Sequence, residues 1–326
     1  MKDEQLKFLF VGVMLFLALI GRADRDNSVK TAIQENIKDT SLTASIAPQL
    51  PAPRPLKPVI AQNFESLISQ TIPLMPYRKN WDWPEPQLQV KAAAAIDLDL
   101  ESDFYRFNSE ARWPLASLTK LMTSVIAIEN VGKDKIISIS KSAVDSEGPA
   151  GNLEVDEQYK ISDLLKAMLL VSSNDAAEAI AEFYGKESFI DQMQAKAAQL
   201  QMQQTSFIDP TGLSFLNQGN ISDLEKLAGY IYKNHPEIFS ITRNQKESIL
   251  ELAKGMPKEL LNINNFAGRG DFLGGKTGFT DQAGGNLISI FSYKGHNILI
   301  IVLGTDDRFG QTELLYNWIK NAYAFN

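Results

Sequence analysis

The sequence predicts a mixed α/β (α+β) fold: an antiparallel sheet whose strands come from both ends of the chain, around a helical insertion. Three observations predict it. Apolar and polar residues alternate between residues 90 and 107, as in a strand pair. Densely apolar helical segments follow between 114 and 228. Three β-like segments and an amphipathic helix then close the chain.

The first element is not part of the sheet. Lys2 and Lys7 flank a polar start, and residues 8–20 form an unbroken run of thirteen apolar or glycine residues. A membrane span needs about 20 apolar residues, so the run fits a secretory signal better. Gly21 and Ala23 supply small residues where a signal peptidase reads. Residues 1–23 are therefore read as a signal peptide or N-terminal anchor, and the protein as exported. Residues 24–87 read as a disordered linker, with Pro48, Pro51, Pro53, Pro55 and Pro58 inside eleven residues. Proline at that density favours extended chain and resists helix and sheet interior. A short helical piece is expected at 65–71.

The folded domain is expected at 88–326. Ile96 and Leu98 alternate with Asp97 and Asp99 in a strand at 90–100. A turn at 101–103 leads to a returning strand at 104–107. Pro114 precedes a helix through Ser117 and Ile128 that is apolar on nearly every side, and such a helix is buried. Ser162-Asp163 reads as the cap of a helix at 164–171. Ser172-Ser173-Asn174-Asp175 interrupts it before a second helix at 176–183, and Ser222-Asp223 reads as the cap of a third. Segments 272–280, 285–293 and 297–304 are β-like, the last two joined through Lys294-Gly295. Leu315, Trp318, Ile319 and Ala322 share one face of the last helix.

Composition narrows the chemistry. The 326 residues are 44% hydrophobic and 22% charged, with a net charge of −7. That balance argues against a nucleic-acid partner, which needs a concentrated basic face. The absence of cysteine removes disulfides, thiolate metal sites and cysteine nucleophiles. The two histidines, His235 and His296, lack partners at metal-ligand spacing and read as ordinary surface residues. No metal site is expected, and a Ser-His-Asp triad is poorly supported.

Three polar clusters interrupt the apolar pattern. Ser117 and Lys120 are three apart on a helix and share a face. A serine hydroxyl needs a base, and a lysine serves when its pKa is lowered. The pattern alone should occur about once by chance in such a chain, but Lys120 sits in an otherwise apolar stretch. Ser172-Ser173-Asn174 reads either as helix capping or as a hydroxyl and an amide aimed into a cleft. Gly274-Gly275-Lys276-Thr277-Gly278 reads either as a flexible turn or as a strand edge where a ligand backbone approaches, with lysine and threonine to bind a carboxylate. Residues 270–277 also match the Gly-x-x-x-x-Gly-Lys-Thr frame of a phosphate loop. That loop needs a helix after it. Here Gly278, Gly284 and Gly285 and a β-like segment follow instead.

Ser117-Leu118-Thr119-Lys120, Ser172-Ser173-Asn174 and Lys276-Thr277-Gly278, in that order, resemble the three signatures of the D-alanyl-D-alanine carboxypeptidases, the low-molecular-mass penicillin-binding proteins. The surroundings, including Asp209-Pro210-Thr211-Gly212-Leu213, are similar as well, and the resemblance runs from about residue 90 to the C-terminus. It implies a β-lactamase/transpeptidase-like fold, with a central antiparallel sheet flanked by helices, a mostly helical lobe and the site between them. It implies Ser117 as the acylated nucleophile, Lys120 as its base and Ser172 as a proton relay to the departing D-alanine. Asn174, Lys276, Thr277, Gly278 and Phe279 are implied on the substrate. Asn174 would hold its amide, Lys276 and Thr277 its carboxylate, and the amides of Ser117 and Phe279 its oxyanion. Lys276 would also keep Lys120 neutral. The implied substrate is a peptidoglycan stem peptide ending in D-Ala-D-Ala, with β-lactams as covalent inhibitors and no cofactor.

Two departures stand out. Many members carry a β-rich C-terminal domain and a terminal membrane helix, and neither follows the 315–322 helix, so any membrane anchor is expected at the N-terminus. Phe279 stands where histidine is common. Two related activities use the same motifs. A peptidoglycan DD-endopeptidase cuts a cross-link, which sequence does not distinguish. A class A β-lactamase needs a deacylating glutamate after the second motif, whereas Glu154 and Glu157 precede it. A non-catalytic binding module would lack the nucleophile or base, and both are present.

Overall fold

The computed structural model describes residues 75–148 and 151–325. The apolar run at 8–20, the proline tract and the 65–71 piece lie outside the described residues. Five antiparallel strands form the central sheet: β1 (Ala92–Asp97), β2 (Ser102–Phe107), β3 (Phe272–Thr280), β4 (Gly284–Tyr293) and β5 (His296–Thr305). Their order is β3-β4-β5-β1-β2. The strands come from both ends of the chain, as the order of elements predicts.

β5 shows why its sequence is apolar without interruption. Ile298, Ile300 and Val302 pack on one face with Leu315, Trp318 and Ile319. Leu299, Ile301 and Leu303 face the other way, into the core of the helical lobe. Side chains alternate faces along a strand, so a strand covered on both sides must be apolar at every position. β1 follows the same logic with Ala92 to Ala95, each fully buried.

The helices between β2 and β3 form the lobe: α1 (Thr119–Ile126), α2 (Ile161–Leu170), α3 (Asn174–Tyr184), α4 (Lys186–Gln199), α5 (Ile221–Asn234) and α6 (Pro236–Arg243). α7 (Arg308–Ala322) covers the opposite sheet face. All eight residues of α1 are buried, as its apolar pattern requires. Pro114 does not start this helix. It lies in a two-residue strand, Trp113–Pro114, paired with Gln218–Gly219.

Several expectations need correction. The segment ahead of residue 87 already joins the domain. Tyr77–Arg78 pairs with Tyr323–Ala324, and the Arg78 guanidinium lies 4.7 Å from the Trp81 ring and 5.4 Å from the Trp318 ring. The cap of α5 is Asn220, whose side chain accepts from Asp223 N. Ser222 instead donates to Glu110. Ser162-Asp163 is not a cap either, because α2 begins one residue earlier, at Ile161. Neither histidine is an ordinary surface residue. His296 is 1% exposed, and its Nδ1 lies 2.7 Å from Oδ2 of fully buried Asp97. His235 Nε2 lies 2.8 Å from Glu129 Oε1.

Candidate active site

Each cluster sits where one element meets another. The chain turns at Ala116, which has φ +48, into the short 3-10 turn Ala116–Leu118 that carries Ser117. A positive φ is costly for a residue with a Cβ and persists only where packing over-determines it. Ser172 has φ +61 at the break between α2 and α3. The two hydroxyl-bearing motifs thus each include a strained residue. Gly278 of β3 packs against the segment that carries Ser117, where an added Cβ would stand 3.0 Å from Leu115 O and 3.3 Å from Ala116 Cβ. Lys276-Thr277-Gly278 lies in mid-strand rather than ahead of a helix, which excludes the phosphate-loop reading.

Lys120 is fully buried. Its Nζ lies 3.0 Å from Ser117 Oγ, 2.6 Å from Asn174 Oδ1 and 2.6 Å from Thr211 O. The last two partners are oxygens that only accept, so they take two N–H bonds. The position left on the nitrogen faces Ser117. Burial brings the pKa of Lys120 down to about 7, against the carboxylates of Asp209 and Glu178, which favour the charged form. A neutral lysine in this arrangement points its lone pair at the serine hydroxyl.

The surroundings fix that geometry. Asn174 Nδ2 donates to Glu147 O, which leaves Oδ1 turned toward Lys120. The Asp209 carboxylate accepts from the backbone N–H groups of Thr211, Gly212 and Ser214, so the loop holds the Thr211 carbonyl in place. Ser173 caps α3 through Ala176 N, so within one motif the middle residue caps and its neighbours face the cleft.

Lys276 is 1% exposed, and its Nζ lies 3.0 Å from Ser172 Oγ and 2.8 Å from Thr277 O. Burial, then the charges of Lys120 and Arg308, push its pKa well below the usual lysine range. Burial is the leading cause at Lys120, and the repulsion between the two ammonium groups is felt at Lys276. Thr277 is 4% exposed, whereas the Phe279 side chain is 62% exposed. β3 is an edge strand with β4 on one side. Gly275 N donates off the sheet to Thr242 Oγ1 at 2.9 Å. N–H groups alternate sides along a strand, so the Phe279 N–H also faces away from β4, toward the cleft.

Sequence reasoning missed Arg308. Its Nη1 donates to Gly278 O at 2.9 Å, and burial lowers its pKa. No spacing signal marks it, because it follows β5 and reaches β3 only through the fold. No cluster of three or more potential metal ligands occurs among the described residues.

A serine–lysine pair at the junction of an antiparallel sheet and a helical lobe defines a serine acyl-transfer fold of the peptidase type. Residues 81–307 match the family profile described as D-alanyl-D-alanine carboxypeptidase, and the chain belongs to that family. It is 32% identical over 206 residues to a D-alanyl-D-alanine endopeptidase of Haemophilus influenzae, covering 61% of this chain and 69% of that protein. It is 29% identical over 228 residues to the Escherichia coli D-alanyl-D-alanine carboxypeptidase DacC, covering 65% of this chain and 56% of that protein. Among solved structures, Listeria monocytogenes penicillin-binding protein D2 in its cefotaxime-bound form is similar with TM-score 0.63 and 28% identity, covering 72% of this chain and 98% of that one. A Mycobacterium tuberculosis D-alanyl-D-alanine carboxypeptidase shares the fold at TM-score 0.68 and 22% identity, covering 73% of this chain and 93% of that one.

Proposed function

We propose that this protein is a serine-type D-alanyl-D-alanine carboxypeptidase that trims peptidoglycan stem peptides through an acyl-enzyme on Ser117. The observation that carries the reading is the Lys120 nitrogen, held by two acceptors so that its third position meets Ser117 Oγ. Lys120 takes the hydroxyl proton as Oγ attacks the carbonyl between the two D-alanines. The outward N–H of Phe279, with that of Ser117, supports the oxyanion, a donor pair whose single members are usually worth about 3 kcal/mol. The C–N bond then breaks, and the proton that Lys120 took reaches the departing amine through the Ser172 hydroxyl, which gives one proton and regains one. Water attacks the ester and releases the shortened peptide. Lys276, Thr277 and Arg308 form the positive edge that receives the terminal carboxylate. That carboxylate favours a protonated Lys276, whose charge then disfavours the charged, three-proton form of Lys120. Asn174 Nδ2 retains a second N–H for the substrate amide.

The N-terminal apolar run supports export, with the domain on the outer side of the membrane. No described helix is long and apolar enough to cross a membrane. β-Lactams should acylate the same serine. Labelled penicillin should add one covalent mass to Ser117, and the intact protein should release D-alanine from a pentapeptide ending in D-Ala-D-Ala. An unlabelled protein, or labelling that persists in Ser117→Ala, refutes the reading.

A further inference from the structure

Residues 83–86 and α7 line a cavity of about 260 Å³ that the reaction above does not use. On the helix side the wall is Leu314, Asn317, Trp318 and Asn321, which at spacings of three and four form one stripe. The frame is fixed. Trp318 Nε1 donates to Pro84 O at 2.9 Å. Arg78 Nη2 donates to Trp83 O and its Nη1 to Glu85 Oε1, each at 3.2 Å. Pro84 and Pro86 restrict the backbone further. Three of the four tryptophans, Trp81, Trp83 and Trp318, gather here around Arg78 and the cavity. Trp81 is 75% exposed and Trp83 43%. Indoles held open to solvent on a rigid frame mark an interaction site rather than a core. At ~30 Å³ per water molecule, the cavity has room for roughly nine, the scale of one sugar ring.

The polar groups select the ligand. Asn321 Nδ2 donates to Asn317 O, and Asn317 Nδ2 to Glu313 Oε1. Each carboxamide has a second N–H and an acceptor oxygen, and both side chains are exposed. Two amides and the Glu85 carboxylate thus stand beside an apolar indole wall. That set matches an N-acetylated amino sugar. Its ring offers C–H groups on its faces, hydroxyls at its rim and an acetamido group that both donates and accepts. An anionic lipid surface fits poorly, because it selects clustered lysine and arginine. Here Arg78 is engaged by Glu85, Asp82 and Glu85 are exposed, and the site is concave. We propose that this cavity binds an N-acetylated sugar of the glycan strand from which the stem peptides hang, a second hold on the polymer apart from the serine cleft. The inference rests on the peptidoglycan reading for the choice of sugar.

The test titrates the intact protein calorimetrically with a β-1,4-linked N-acetylglucosamine tetramer, which carries no peptide. Binding is expected at a Kd of about 1 mM or below, with the glucose tetramer of the same linkage about fivefold weaker or more. Trp83→Ala should weaken binding about tenfold or more and Asn317→Ala about fivefold, while D-alanine release from a free pentapeptide stays within about twofold. Penicillin labelling of Ser117 in each variant reports an intact fold. A labelled protein that does not bind the tetramer, equal binding of the two tetramers, or unchanged affinity in Trp83→Ala overturns the assignment. So does Trp83-dependent binding to phosphatidylethanolamine–phosphatidylglycerol vesicles without tetramer binding, which gives this face to the bilayer. An unmodified protein that does not label refutes the Ser117 reading; the titration decides the sugar site separately.

Discussion

If Lys120 is the base, the rate of acylation should report its protonation. Burial brings its pKa to about 7, so the neutral, reactive fraction is about 1% at pH 5 and about 90% at pH 8. The direction follows from the role: a base must be unprotonated, so acid stops the reaction and the rate climbs as pH rises through 7. The second-order rate constant for a chromogenic β-lactam should therefore increase roughly 90-fold from pH 5 to pH 8, in stopped-flow at constant ionic strength. Asp175 must be separated from this effect, because burial pushes its carboxyl up to about 6. In Asp175→Asn the inflection near 7 should persist. Lys120→Arg, whose side chain keeps its charge, should lose about 10³-fold in rate at pH 8. A profile flat between pH 5 and 8, or an inflection that disappears in Asp175→Asn, refutes the assignment of Lys120 as base.

Three further outcomes follow from packing. Gly212→Ala should cost about 2–4 kcal/mol in denaturant unfolding and abolish penicillin labelling: its Cβ would stand 1.9 Å from Ala116 O, next to Ser117 in the chain, at φ +84. His296→Ala should cost about 2 kcal/mol by leaving Oδ2 of the buried Asp97 carboxylate without its partner, while Oδ1 keeps the N–H groups of Asp99 and Leu100, and labelling should be unaffected because His296 pairs with Tyr293 at the far end of β4 from Asn286, the partner of Gly278. Trp318→Ala should lower stability by about 3–5 kcal/mol, since its ring packs in the core under α7 and its indole N–H holds Pro84 O. Preserved stability in any of the three contradicts the packing argument for that residue.

What the sequence makes legible is what a local pattern encodes. β5 is visible because burial on both faces demands six apolar residues in a row. Ser117, Lys120, Ser172, Asn174 and Lys276 are visible because each polar group interrupts such a pattern. Less is visible where the apolar stripe is thin. α4 buries only Phe189, Met193 and Ala197, and the hairpin Lys246–Glu251 and Met256–Leu261 shows most of its residues to solvent. Partners distant in sequence leave no local trace. His296 looks like a turn residue until β5 is set beside β1, where Asp97 waits 199 residues earlier in the chain. Arg308 and the Glu147 carbonyl enter the site for the same reason, through tertiary placement alone.

The strand order also dictates when this protein can fold. β1 pairs with β5 from Ala92–Leu303 through Asp97–Ile298, and Tyr77 pairs with Ala324. Such contacts close the longest loops the domain has, and the entropy of closing them is lost before any of the burial is gained. During synthesis the first hairpin emerges with no neighbour, and the lobe emerges without the sheet that covers it. The centre of the sheet is completed only when β5, His296–Thr305, emerges near the end of the domain. Refolding should therefore fall in the slow regime of non-local topologies, on the order of milliseconds to seconds or longer. Until that last strand arrives, the serine and its lysine have no edge strand locked against them, so the chain acquires its chemistry only when it is whole.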